Sequence, residues 1–264
     1  MKKLFGTDGI RGVAGQPPLD GPTVHAIGLA LAHTLKKTTP SPRVLLGMDT
    51  RESSDSIAAI LTAGLTAGGA AVESAGVITT PAIAFLTHTH GFAAGIVISA
   101  SHNPWQDNGI KVFGPDGYKL PDATELAIEE EIFRQLEAAT ETGAPGPASG
   151  TWDRTATTPP TVNEADRVDY VRFLLAAVPA LSLDGKRIVV DCANGAASAV
   201  ASQLFSSLGG EVLVTHSSPT GRNINERCGA LHPEVVAAEV AACKADLGIT
   251  CDGDADSALF ADHL

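Results

Sequence analysis

The chain has 264 residues, 44% of them hydrophobic and only 5% aromatic, with 27 glycines and 16 prolines. Lys and Arg total 18 against 30 Asp and Glu, a formal charge of −12, and so diffuse a negative field argues against nucleic acid or an anionic membrane surface as partner. The length suits two domains of ordinary size, and a core of Ala, Val, Leu and Ile suits α/β layering better than a β-sandwich.

Phe5-Gly-Thr-Asp-Gly-Ile-Arg-Gly12 opens the chain. Its glycines let backbone N–H groups approach a ligand, and the apolar alternation predicts a docked segment. No secretory h-region follows Lys2-Lys3. Val24, Ile27, Leu31 and Leu35 predict a helix over 22–37. Arg43 to Asp49 reads as a strand ending on Asp49-Thr-Arg51. A helix over 55–68 and a strand over 71–74 come next. The apolar tract from Ile57 to Val72 is too short and too broken by Gly64, Gly68 and Gly69 to span a bilayer, so a soluble intracellular protein is expected. Thr80-Pro81 starts a helix on which His88 and His90 read as solvated or capping residues.

Gly95 to Lys111 is the stretch around which the rest is organised. Ile96-Val97-Ile98 is a short β-branched strand that breaks into Ser-Ala-Ser-His-Asn-Pro104. Ligands bind beyond the carboxyl ends of strands in open α/β sheets, which puts Ser101 where its hydroxyl can face a substrate, with an ordinary loop serine bonded to its own backbone as the alternative. Lys111 is expected to return close to it after an Asp107-Asn108-Gly109 turn. Arg11, Arg51, Lys111 and Lys119 are candidates for a local positive cluster that receives an anionic substrate. Gly114-Pro-Asp-Gly117 predicts a hairpin, 122–136 an acidic helix whose Glu129-Glu-Glu131 is a solvated face, and 140–160 a linker.

A helix over 163–177 and a strand over 187–191 follow. The strand, its terminal Asp191, the Cys192-Ala-Asn-Gly195 loop and the next helix echo Arg43–Asp49 in the first half. A strand over 211–216, a loop over 219–229 and a helix over 233–244 precede what reads as the last strand, Asp246 to Cys251. Cys192, Cys228, Cys243 and Cys251 lack metal-finger spacing and read as buried reduced thiols.

Asp252, Asp254 and Asp256 alternate after that apolar strand, an arrangement that needs a cation to offset its charge. Three hard oxygen donors suit Mg²⁺. An EF-hand is ruled out by Ser257 and His263 at its Gly and Glu positions. An aspartyl-nucleophile phosphatase and a merely solvated acidic turn stay open. A phosphate on Ser101 would meet Mg²⁺ on the three aspartates. Lys111, with a pKa lowered by burial or a neighbouring cation, could then exchange a sugar-hydroxyl proton, and Arg11 could stabilise the transferring group.

Ser-Ala-Ser101-His-Asn-Pro-Trp-Gln-Asp-Asn-Gly-Ile-Lys111 with Asp252-Gly-Asp-Ala-Asp256 resembles the α-D-phosphohexomutases. Phe5–Gly12, Thr80-Pro-Ala82 and Asn223–Gly229 most resemble their bacterial phosphoglucosamine mutase branch. The resemblance implies two consecutive α/β domains with mixed sheets sandwiched by helices, at 1–150 and 151–264. It implies phosphoserine at Ser101, Mg²⁺ on Ser101, Asp252, Asp254 and Asp256, Arg11 and Lys111 as the acid/base and charge-stabilising pair, and His102 beside the nucleophile. The implied reaction interconverts glucosamine 6-phosphate and glucosamine 1-phosphate through a bisphosphorylated sugar, in the cytoplasm, toward UDP-N-acetylglucosamine. A phosphomannomutase or phosphoglucomutase of the same family and a non-catalytic metal-binding fragment are the alternatives, and a homodimer is open to it. Two departures stand out. Ser257 occupies a position where the family has Arg, and the third and fourth family domains have no counterpart in the sequence.

Overall fold

The computed structural model describes residues 4–142 and 160–262, and two mixed sheets carry the chain. β1 (Ile10–Val13), β2 (Arg43–Met48), β3 (Ala71–Val77), β4 (Ala94–Ile98) and β5 (Asp107–Phe113) form the first, in the order β1-β5-β4-β2-β3. β2 is parallel to β3 and β4, while β5 is antiparallel to β4 and β1. Along β2 and β4 the side chains alternate between two buried faces. Val44, Leu46, Ile96 and Ile98 pack with α1 (Gly21–Lys36), α2 (Ser54–Ala67) and α4 (Asp122–Thr142), while Leu45 and Val97 pack with α3 (Thr80–Thr89) and α5 (Glu164–Ala177). Helices on both faces explain why these strands read as unbroken apolar runs. Asp20 caps α1 by accepting from Thr23 N at 2.7 Å. α1 and α2 cross so closely that a Cβ on Gly64 would lie 2.2 Å from His25 O.

β6 (Arg187–Asp191), β7 (Glu211–Thr215), β8 (Leu247–Cys251) and β9 (Ala258–Ala261) form the second sheet, in the order β7-β6-β8-β9. Only β9 is antiparallel to its neighbour. α6 (Ala201–Ser207) covers the face of Ile188, Val190 and Ile249, and α7 (Pro233–Cys243) the face of Val189. Tyr170 and Val171 of α5 pack with Ile83 and Leu86 of α3 and with Val200 ahead of α6, which joins the two halves through one apolar cluster.

The α/β class and the docked first segment agree with the sequence reading, and four local details do not. Asp107-Asn108-Gly109 is the start of β5, not a turn: Asn108 is fully buried and its Nδ2 donates to Ser53 and Ser54 Oγ. The hairpin's second arm is a single bridge, Phe113 to Lys119. β8 is not the last strand, because β9 turns back on it. Glu129 is buried, not solvated, and accepts from Leu4 N and Phe5 N, so it holds the first segment down. Most of the expected linker, 143–159, lies outside the described residues. Among the described helices none is long and apolar enough to cross a membrane.

Candidate active site

β2 and β4 end side by side, with Asp49 N donating to Ile98 O at 3.0 Å. Asp49 and Arg51, whose side chains are both at 0% exposure, pair at 2.8 Å. Ser99 Oγ donates to Asp49 at 2.6 Å and accepts from Ser101 N at 2.9 Å. The Arg51 guanidinium donates to Ser101 O and Asn103 O, both at 2.9 Å, to Asp107 O at 3.1 Å, and to Pro104 O. Its five-donor fork thus gathers four carbonyls of one loop. Burial raises the Asp49 pKa against the opposing pull of Arg51. Ser101, in the middle of that loop, has the left-handed φ of 54°, a conformation that costs a non-glycine residue about 1–2 kcal/mol.

The aspartate loop arrives from β8. Ser101 Oγ donates to Asp252 Oδ2 at 2.5 Å. Ligand oxygens of Asp252, Asp254 and Asp256 lie within 4.8 Å of one another. Asp254 is held by Thr80 Oγ1 at 2.5 Å and Lys111 Nζ at 2.8 Å, and Lys111 also reaches Asp256 at 2.9 Å. Burial, followed by the Asp254 charge, pushes Asp252 up to about 6. Asp254 Oδ1 is buried with no hydrogen-bond partner. One ammonium cannot balance three convergent carboxylates. The two charges left over and the orphaned oxygen fit a hard divalent cation. Gly253 has no room for a side chain, since a Cβ there would lie 2.6 Å from Ser101 O.

Lys111 is a correction. Burial lowers its pKa, but Asp254 and Asp256 outweigh burial and the net direction is up, the reverse of what a proton carrier needs. Asp8 bridges Lys111, at 3.2 Å, to Arg11. His102 Nδ1 lies 3.4 Å from Ser101 Oγ. The geometry thus gathers Ser101, His102, Lys111, Arg11 and the three aspartates in one place. It does not bring in Arg51, which points into the loop behind Ser101, or Lys119, which pairs with Glu125 and Asp122. The expected four-residue anion cluster is therefore reduced to Arg11 and Lys111. Ser257 N donates to Asp252 at 3.2 Å and its Oγ to Asp256 at 3.1 Å, so this serine tightens the aspartate loop.

Sequence reasoning missed the support on the second half. Asp191, fully buried at the end of β6, accepts from Ala193 N and Gly229 N at 2.9 and 2.8 Å and from Thr250 Oγ1 at 3.2 Å. His216 and Cys228 lie within metal-ligand range of it, but these donors already engage both Asp191 oxygens, and the group reads as a buttress. Asn225 Nδ2 donates across to Ser101 O at 2.9 Å and Asn103 O at 3.1 Å, and Thr50 Oγ1 donates to Asn194 O at 2.5 Å. The one available signal was an acidic residue ending a buried strand, at Asp49 and again at Asp191. All four cysteines are free, but only Cys192 and Cys228 are buried as expected, while Cys243 and Cys251 are half-buried. Burial pushes the Cys228 thiol up to about 12 and Cys251 up to about 11, away from the thiolate form.

Two family descriptions match the chain: phosphoglucomutase/phosphomannomutase alpha/beta/alpha domain I over residues 2–139 and domain II over residues 168–264. The chain is 52% identical to the phosphoglucosamine mutase of Koribacter versatilis, across 99% of its own length and 55% of that relative. It is 49% identical to the phosphoglucosamine mutase of Solibacter usitatus, across 98% and 55%. A solved phosphoglucomutase/phosphomannomutase family protein from Burkholderia thailandensis superposes with a TM-score of 0.76 at 25% identity, over 98% of this chain and 54% of that one. The chain therefore spans about half the length of the curated relatives it matches.

Proposed function

The chain belongs to the phosphoglucomutase/phosphomannomutase family, and from that premise we propose that it is the amino-terminal half of a phosphoglucosamine mutase. The observation that carries this reading is the Ser101 hydroxyl donating to Asp252 across the two halves, at 2.5 Å. The similarity to named phosphoglucosamine mutases along nearly the whole chain supports the sugar. We take 1–150 and 151–264 as the domains.

Ser101 would carry the phosphoryl group. The P–Oγ bond breaks as a bond forms to O1 of glucosamine 6-phosphate, and the proton of the sugar hydroxyl ends on the departing Oγ. In the second transfer the P–O6 bond of the bisphosphate breaks as Oγ takes the 6-phosphoryl group, the Oγ proton ends on O6, and glucosamine 1-phosphate is released. Asp252, Asp254 and Asp256, with the seryl phosphate, would hold Mg²⁺, which supplies positive charge to the transferring group. Lys111 contributes a fixed positive charge beside the acceptor oxygen, and a role as proton carrier requires relief of its pairing with Asp254 and Asp256. Arg11, anchored by Asp8, is the second cation for the transferred phosphate, and His102 borders the nucleophile. The overall interconversion is assigned to a chain of the relatives' length, acting on cytoplasmic phosphosugars, with no nucleic-acid or membrane partner.

The test is phosphopeptide mass spectrometry on protein purified with Mg²⁺. Phosphate is expected on Ser101 and is lost in Ser101→Ala. A clean, unphosphorylated Ser101 peptide argues against the reading. Mg²⁺ uptake without phosphosugar turnover in a chain of the relatives' length would favour a non-catalytic metal-binding protein instead.

A further inference from the structure

We infer that Asn225 is a positioning residue for the Ser101 nucleophile, set on the second half so that the loop takes its reactive shape only when both halves are docked. The inference rests on the phosphoserine reading above.

Ser101 O and Asn103 O each accept two hydrogen bonds: one from Arg51 Nη2, within the first half, and one from Asn225 Nδ2, across the junction. Arg51 is rigidly placed by Asp49, but it approaches from one side only. Asn225 closes the other side, and with Ser99 Oγ on Ser101 N every backbone polar group of Ser101 is fixed. That matters because Ser101 sits in the left-handed region, a conformation that relaxes unless neighbouring bonds hold it. A shift of the loop carries Oγ away from Asp252.

Asn225 is itself built for this task. Its φ is 58°, which asparagine tolerates better than most residues. Its N–H donates to Ala193 O at 2.9 Å, and Ala193 and Gly229 are both tied to the Asp191 carboxylate. The path runs from the end of β6, through two short loops, to the carbonyl of the nucleophile. Arg222, three residues earlier on the same loop, gives an independent control. It pairs with exposed Glu52 at 2.7 Å and lies over the Trp105 ring at 4.9 Å, so it fastens the loop to the first half without touching Ser101.

Asn225→Gly keeps the left-handed backbone and removes both bonds, and Asn225→Asp keeps the shape while replacing the donor with an acceptor. In a chain of the relatives' length, saturated with Mg²⁺ and glucosamine 6-phosphate, each is expected to lower kcat by about 10²-fold, the effect of a small misplacement of a reacting group. KM and the unfolding midpoint should stay near wild type, and Arg222→Ala should keep wild-type kcat. Wild-type kcat in both Asn225 variants overturns the inference. A parallel collapse of the unfolding midpoint also overturns it, by making the role structural. Arg222→Ala falling as far as Asn225→Gly overturns it too, because loop attachment alone would then suffice. A wild type with no phosphate on Ser101 instead removes the phosphoserine reading beneath it.

Discussion

Asp49 and Asp191 occupy equivalent places in the two halves, each ending the strand at or near the middle of its sheet, and each is buried. Their partners differ in kind. Asp49 is matched by a guanidinium whose remaining donors grip the Ser101 loop. Asp191 is matched mainly by backbone N–H groups and a hydroxyl that shape its own neighbouring loops. Backbone strain is distributed the opposite way. Among the described residues, Ser101 is the only non-glycine residue with positive φ in the first half, while the second half has Ala193, Asn194, His216, Asn225, Arg227, Lys244 and Ala255. The first half fixes its one strained residue through a buried ion pair, and the second ties strained Ala193 directly to a buried carboxylate through its backbone N–H. A carboxylate paired with an ion can anchor a loop from another strand, whereas one paired with amides organises only the chain that supplies them.

The comparison breaks hardest at Arg51. Arg51→Ala leaves the Asp49 carboxylate without its ion partner and is expected to cost about 3–5 kcal/mol, read from urea unfolding. The loss should depend on pH. Burial already raises the Asp49 pKa with Arg51 present, and the variant removes the charge that opposes that rise. A raised folded-state pKa means that the native state binds the extra proton between the unfolded and folded values. Stability therefore falls as pH rises through that window, and Arg51→Ala should be less impaired at acidic than at neutral pH. Equal losses across the range would show that the carbonyl contacts, not the charge pair, carry the energy.

Asp191→Ala is expected to cost less, about 2–3 kcal/mol, since it strands amide donors and no charge. A larger loss than that of Arg51→Ala would invert the comparison. Ala255→Gly should stabilise by about 0.5–1 kcal/mol, because glycine takes the φ of 54° without strain. It sharpens the claim that the second half carries strain. The smallest expected effect is at Arg222, where Arg222→Ala removes an exposed pair and a contact with the Trp105 ring and should lower stability by no more than about 1 kcal/mol, read from urea unfolding.

How much of this was legible depended on whether the cause was local. β2 and β4 could be read because two covered faces leave an uninterrupted apolar run. Ser101 and the three aspartates stood out because a hydroxyl and alternating carboxylates directly after apolar strands are unusual there. The direction of Arg51 was not readable. Its sequence neighbours do not reveal that four carbonyls from 101–107 converge behind it. The same holds for Glu129, whose acidic neighbours suggest solvent while its own partners are amides at the start of the chain. The Lys111 pKa followed the same rule: burial alone gives the lowered value first expected, and the two aspartates that reverse it come from more than a hundred residues away.

Gly253 has a consequence for the whole assembly of these parts. With only a hydrogen where other residues carry a carbon, it lets one backbone rest against the carbonyl of the serine, and its neighbour's carboxylate reaches the hydroxyl as a result. The smallest side chain in the protein acts as the spacer gauge between the two halves at this point, and a single added methyl group would wedge the aspartate loop away from the Ser101 loop.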